Sequence, residues 1–242
     1  EGPAPTPGAD MHPQAPLGEW MQWLRAQDAQ ALRQALVQIQ LERGLARLIT
    51  ECVAPMNASV GLAWLEGQLA VFEEHLYTEI VQGVLRQAMG QVVGGRPGTP
   101  PRVLLTTVPG EPHGLGLLMA ECFMVLEGCQ TVSLGTQTPL PDIVRAAEAG
   151  GADIVALSFT AIQNPRDVRA ALAQLRQRLP ARVEIWTGGQ CPALHRPRRG
   201  ANAATAPDHW PMARLEDIAT GVARWRANAA AHAQTRAQPD AM

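Results

Sequence analysis

The stretch Val103-Leu104-Leu105-Thr106-Thr107-Val108-Pro109-Gly110-Glu111-Pro112-His113-Gly114-Leu115-Gly116 decides the reading of this chain. Its opening is a short apolar run of the kind that makes a buried strand, and its end begins an apolar helix expected over Leu115 to Glu127. The turn between such a strand and helix is where α/β proteins keep their binding chemistry. A histidine there has its imidazole beyond the sheet's carboxyl edge. Gly114 and Gly116 remove side-chain bulk, so that a large ligand can approach the backbone. Alone, the hexapeptide Glu111 to Gly116 reads equally well as a solvated loop, and the rest of the chain decides between the two.

Downstream, short apolar runs alternate with helical segments. Strands are expected at Val103 to Thr107, Thr131 to Leu134, Ile154 to Ser158 and Val183 to Trp186, with helices at Leu115 to Glu127, Pro141 to Ala149 and Arg166 to Leu179. This βα alternation predicts a parallel, doubly wound sheet of Rossmann-like or flavodoxin-like type over residues 96–230, with right-handed connections. Residues 196 to 212 are polar, arginine-rich and interrupted by proline, and contain no convincing fifth strand. A last helix is expected from about Leu215 to Ala229, and residues 231–242 read as a frayed tail.

Upstream, five prolines in residues 1–16 predict an extended, flexible linker. Residues 17–95 turn helical. Leu32, Leu36, Ile39 and Arg43 step along one face, followed by Leu45, Leu48, Ile49 and Cys52. Asp28 is a suitable N-cap, Pro55 is expected to kink the second helix, and Glu66-Gly67 should end it. A further helix from about Leu69 to Val93 is expected to bury Phe72, Leu76, Ile80, Val84 and Leu85. Three or four helices joined by short loops read as an antiparallel four-helix bundle. The glycine- and proline-rich break from Gly94 to Pro101 separates the bundle from the sheet. The fold class is therefore α plus α/β.

Composition narrows the function classes. Twenty basic and 22 acidic residues give a net charge of −2, and every basic residue outside histidine is arginine. This charge provides no global attraction to nucleic acid or anionic membrane. Cys52, Cys122, Cys129 and Cys191 form no Cys-x-x-Cys pair, so reduced thiols in a cytoplasmic protein are expected and structural zinc is not. No apolar run approaches the about 20 residues a membrane span needs, and no signal peptide is visible. The chain opens on Glu1, as expected if an amino-terminal region has been removed.

A strand, Glu111-x-His113-x-x-Gly116, a helix, Ser158-x-Thr160 after the third strand and Gly188-Gly189 after the fourth together resemble the cobalamin-binding fold of methionine synthase, the mutases and corrinoid proteins. The resemblance implies that His113 is the lower axial ligand of cobalt and that Glu111 accepts the imidazole's other N–H. It further implies that Gly114 and Gly116 leave room for the cofactor beside the helix. Ser158 and Thr160 would offer hydroxyls to the buried base of its nucleotide tail, and Gly188 and Gly189 would clear the tail's far end.

In the helical half, Trp64 followed after nine residues by Glu74-His75 resembles the signature of CarH- and LitR-type photoreceptors of the MerR family of transcription regulators. The resemblance spans about residues 27 to 190. It implies that Trp64, Glu74 and His75 line the upper corrin face, where the 5′-deoxyadenosyl group of adenosylcobalamin sits, in a module that is a light sensor and not an enzyme. Light would break the cobalt–carbon bond and change an oligomer or partner interface; the expected partners are a second copy or a transcription regulator. No direct nucleic-acid contact is expected from this chain, since the family's winged helix-turn-helix is missing from it.

A histidine follows the tryptophan in the best-described CarH type, and Leu65 stands there in this chain. His195, His209 and His232 lie outside the motifs and are expected at the surface. A corrinoid carrier serving methyltransferases, which also joins a helical bundle to this sheet, is the alternative reading.

Overall fold

The computed structural model describes residues 16–93, 98–194 and 208–237. The chain divides into two compact units, Glu1–Arg86 and Gln87–Met242. The expected linker of residues 1–16 lies outside the described residues, apart from its last.

The first unit begins with helix α1 (Pro16–Arg25) and α2 (Ala29–Arg47). Asp28 caps α2 as expected, its side chain accepting the backbone N–H of Ala31 at 2.9 Å. A π-helical turn (Leu48–Val53) and α3 (Ala54–Leu65) follow, and then α4 (Val71–Val93). The break sits earlier than the position expected at Pro55. Gly44, with φ +83° and ψ 166°, is the non-helical residue, and Pro55 lies in the first turn of α3, where its missing N–H is tolerated. The widened π turn immediately before it carries the chain through without a second break.

Together Ala29–Leu65 form a helical run that is long and apolar enough to cross a membrane by length and composition, contrary to the expectation of no such run. Leu32, Leu36, Leu48, Ile49, Met56 and Val60 of this run are buried within the protein, whereas Leu41, Leu62 and Leu65 are exposed. Arg43 and Arg47 pair with Glu51 on exposed positions, at 3.2 and 3.9 Å. That is the pattern of an amphipathic core helix.

The buried stripe of α4 is Tyr77, Ile80, Val81, Val84, Leu85 and Ala88, while Phe72 is 55% exposed rather than buried. The helix begins two residues later than expected, and its first turn lies outside the core. Tyr77 instead reaches inward, its hydroxyl donating to the Val53 carbonyl at 3.2 Å.

The second unit is built on β1 (Thr99–Thr106), β2 (Cys129–Ser133), β3 (Ile154–Phe159), β4 (Glu184–Gly189) and β5 (Trp210–Met212). All pair in parallel in the order β2-β1-β3-β4-β5, the flavodoxin-like arrangement. The connecting helices are α5 (Leu115–Leu126), α6 (Leu140–Ala149) and α7 (Pro165–Arg178), and α8 (Asp217–Ala237) closes the described chain. Helices α5 and α8 pack together, as do α6 and α7. Leu104, Val155, Leu157 and Ile185 join the core with Ile143, Val168 and Leu172 of α6 and α7, while Trp186 meets Gly221 of α8. Both faces of the sheet are thus covered, which is why its strands read as near-continuous apolar runs.

Two expectations are corrected here. A fifth strand exists, pairing Trp210 with Trp186 and Met212 with Gly188. It is three residues long with a central proline, too short to register as a period, and Pro211 is tolerated because β5 is an edge strand. Helix α8 also runs on to Ala237, so residues 231–237 are helical rather than frayed; its alanine-rich end favours helix.

Candidate functional site

Strand order reverses between β1 and β3, and the crevice at their carboxyl ends is where ligands bind in such sheets. The loop after β1 carries Glu111 and His113, and the loop after β3 begins at Thr160. Glu111 is fully buried and spans this crevice. Its Oε1 accepts the backbone N–H of His113 at 3.1 Å and lies 2.7 Å from Nδ1 of the imidazole. Its Oε2 accepts the backbone N–H and the hydroxyl of Thr160, both at 2.7 Å. A carboxylate surrounded by these donors is acceptor-only, which makes Nδ1 the protonated ring nitrogen and leaves a lone pair on Nε2.

The His113 side chain is 46% exposed, so this lone pair belongs to a ring with access to solvent. Among the described residues no group of three or more His, Cys, Asp or Glu side chains gathers to hold a metal. One imidazole backed by a carboxylate suits a metal whose other positions a macrocycle supplies. The donor set therefore fits a cobalt corrinoid.

Behind the loop, Gly116 opens the second position of α5 against β3: a Cβ there would stand 3.2 Å from the Ser158 hydroxyl. Gly114 is the N-cap of α5, and a Cβ on it would meet Thr136 at 3.1 Å. Ser158 pairs with Gly188 in the sheet and Phe159 with Gly189. The two glycines are the last residues of β4 rather than a turn after it. A side chain at Gly189, where φ is +106°, would place Cβ 2.1 Å from the Phe159 carbonyl oxygen, so this glycine is required by the strand itself. At Gly188 a Cβ would find Met212 O at an ordinary 3.8 Å, leaving space that the fold does not need.

The structure thus brings Gly116, Ser158 and Gly188 together, and separately joins His113, Glu111 and Thr160. Thr160, expected to offer its hydroxyl to the base of a nucleotide tail, donates it to Glu111.

Trp64, Glu74 and His75 lie in the first unit, on either side of the tight turn between α3 and α4, where Gly67 adopts φ +70°. Trp64 is 42% exposed, and Leu62, Leu65, Val71 and Phe72 are likewise exposed. Glu74 accepts the Thr78 hydroxyl at 2.8 Å, and His75 lies 3.7 Å from Glu74 with its side chain largely in solvent.

Of the remaining histidines, His195 falls outside the described residues, as does the side chain of His232. His209 is half-buried, not at the surface as expected, and its Nδ1 lies 2.9 Å from the Thr187 hydroxyl. Burial pushes its pKa down, opposed by the nearby Asp208 carboxylate. All four cysteines are buried, and none is in a disulfide.

Sequence reasoning missed Thr107, Gln137 and Gln163. Thr107 is fully buried and donates to the Glu111 carbonyl, and the Gln163 side chain donates to the Gly110 carbonyl. The available signal was a polar residue directly following an apolar strand.

The chain is similar to known proteins. Residues 101–206 match the B12 binding domain family. The chain is 33% identical over 145 residues to the HTH-type transcriptional repressor CarH of Myxococcus xanthus, covering 60% of this chain and 48% of that protein. It is 30% identical over 105 residues to the repressor CarA of the same organism, covering 43% of this chain and 36% of that protein. The chain therefore spans half or less of the length of these relatives. Among solved structures it is similar to the monomethylamine corrinoid protein of Methanosarcina barkeri, with a TM-score of 0.61 at 14% identity over 86% of this chain and 96% of that one, a likeness of fold. With the histidine loop and the glycine-lined crevice in place on a flavodoxin-like sheet, it is residues 101–206 that match the B12 binding domain, and the chain is similar over 145 residues to CarH.

Proposed function

We propose that this chain is the adenosylcobalamin-dependent light-sensing module of a CarH-like transcription regulator. The observation that carries the reading is that the similarity to CarH extends over a stretch longer than the B12 binding domain itself. When bound, the cofactor supplies a cobalt–carbon bond that visible light can break. His113 offers Nε2 as the lower ligand, and Glu111 holds the proton on Nδ1 and sets the ring's orientation. Gly114 and Gly116 leave α5 bare for the cofactor's approach, while Ser158, Gly188 and Gly189 line the crevice proposed for its nucleotide tail. Trp64 offers a flat apolar wall for an adenosyl group, Glu74 an acceptor for a ribose hydroxyl or the adenine amine, and His75 a brace beside it.

In this role the chain is not an enzyme. Its partners are a second copy or the DNA-binding part of a regulator, in the cytoplasm. The light-sensor reading is tested by the absorbance spectrum of the purified chain with adenosylcobalamin, before and after green light. Binding followed by a light-dependent change of spectrum is expected, and a chain that binds without any photoresponse refutes the sensor.

A corrinoid carrier for a methyltransferase shares this fold. It would need an upper face open for methyl transfer and would bind methylcobalamin at least as tightly as the adenosyl form. The pattern of Trp64 with Glu74-His75 supports an adenosyl pocket over such a carrier.

A further inference from the structure

We propose that Thr107 is a positioning residue for His113, acting through the backbone of Glu111; the proposal rests on the reading of His113 as the cobalt ligand. Thr107 follows β1 directly and is completely buried, where a valine of the same shape would pack equally well. The hydroxyl therefore serves its two hydrogen bonds. Its single proton goes to the Glu111 carbonyl at 2.6 Å, and its oxygen accepts the backbone N–H of Gln137 at 2.8 Å.

Gln137 has φ +60°, a conformation that costs a non-glycine residue about 1–3 kcal/mol and persists only where its surroundings hold it. The surrounding bonds are on the same segment. The Thr138 N–H donates to the Thr107 carbonyl at 2.9 Å, and the Thr106 hydroxyl lies 2.7 Å from that of Thr138 and 3.0 Å from the Gly135 carbonyl. The loop after β2 is thereby stitched to the end of β1, and through one hydroxyl to Glu111.

Glu111 is thus held twice. Thr160 sets its carboxylate and Thr107 its main chain, so the oxygen that holds Nδ1 of His113 has little freedom to swing. Removing the Thr107 hydroxyl takes the donor from the carbonyl of buried Glu111 and the acceptor from the N–H of Gln137, on the two loops it joins. The loops then relax, and the imidazole loses its fixed plane.

The test uses the full chain, labelled with the heavy nitrogen isotope, and cob(II)alamin. A protein imidazole on cobalt then gives a two-line axial-nitrogen splitting in the electron paramagnetic resonance spectrum, whereas the cofactor's own base gives three lines. Three lines from the unsubstituted chain overturn the assignment of His113 itself. Given two lines there, Thr107→Val is expected to bind cob(II)alamin about 10-fold more weakly, the lower end of what loss of an outer-shell partner costs, and to show a mixed pattern. Thr107→Ser should restore both. Thr107→Val matching the unsubstituted chain in affinity and splitting refutes the proposal, as does Thr107→Ser failing in the same degree as the valine variant.

Without cofactor, the ring-nitrogen chemical shifts of His113 should report one tautomer, protonated on Nδ1, and move toward a mixture in Thr107→Val; unmoved shifts also refute it. Should the valine variant not fold, the Gln137 amide of the unsubstituted chain decides. Exchange roughly 100-fold slower than an exposed amide is expected of its bond to Thr107, and exchange at the exposed rate overturns it.

Discussion

Thr160 gives both its backbone N–H and its hydroxyl to one oxygen of Glu111, each at 2.7 Å, closing the crevice between the loops after β1 and β3. Glu111 is fully buried, so these donors replace the water its carboxylate has lost. Thr160→Val removes a hydrogen bond to a charged group and should destabilise the protein by about 1.5–3 kcal/mol, measured by urea denaturation. Glu111→Gln leaves the fold's shape intact but presents an amide to four donors. Cobalamin binding by that variant, followed by titration calorimetry, should weaken about 10- to 100-fold.

The two glycines ending β4 should separate cleanly. Gly189→Ala forces a Cβ into the Phe159 carbonyl at φ +106° and should cost about 2–4 kcal/mol of stability, with or without cofactor. Gly188→Ala meets only an ordinary contact and should fold normally. Its thermal midpoint should stay within a few degrees of the unsubstituted chain's, while its cobalamin affinity drops because the methyl enters the proposed tail crevice.

His209 links stability to pH. Burial lowers its pKa, so the folded state favours the neutral ring bonded to Thr187. The stability this contributes is complete above the ordinary histidine value of about 6.5 and is lost as pH falls through the lowered folded value. The unfolding midpoint should therefore fall on acidification across that window. In His209→Gln this component of the dependence should vanish, leaving only the background titration of carboxylates.

Two aromatic residues of the first unit should behave oppositely. Tyr77→Phe removes a buried hydroxyl bonded to the Val53 carbonyl and should destabilise by about 1–2 kcal/mol. Burial places the Tyr77 phenol far above its ordinary pKa, so its hydroxyl remains a donor across any usable pH. Trp64→Ala removes a side chain already 42% exposed and should cost less than the ~3–5 kcal/mol of a core tryptophan. Adenosylcobalamin retention, measured by gel filtration, should fall all the same. Stability and retention lost together in full would make Trp64 a packing residue.

The sheet was legible because its central strands β1, β3 and β4 are largely buried and its strands are separated by helices of clear period, from Val103 to Trp186. Strand β5 was not: three residues around Pro211 carry no period, and their place is set by pairing with Trp186 and Gly188. The break at Gly44 was hidden for a different reason. A proline, Pro55, stood nearby as the stronger breaker, yet it fell in a first turn where proline is harmless.

Within the site, Glu111 and His113 announced themselves by standing two residues apart. The bond from Thr160 crosses 49 residues, and that from Gln137 to Thr107 crosses 30, so only tertiary structure reveals them.

The different demands on Gly188 and Gly189 bear on how relatives of this chain should be read. The second glycine is dictated by the carbonyl of a neighbouring strand and will persist in any descendant that keeps this sheet, including one that has abandoned its cofactor. The first is under no such compulsion. In a comparison of many such chains, drift at the position of Gly188 beside an unchanging Gly189 would therefore mark the lineages in which the scaffold outlived its ligand.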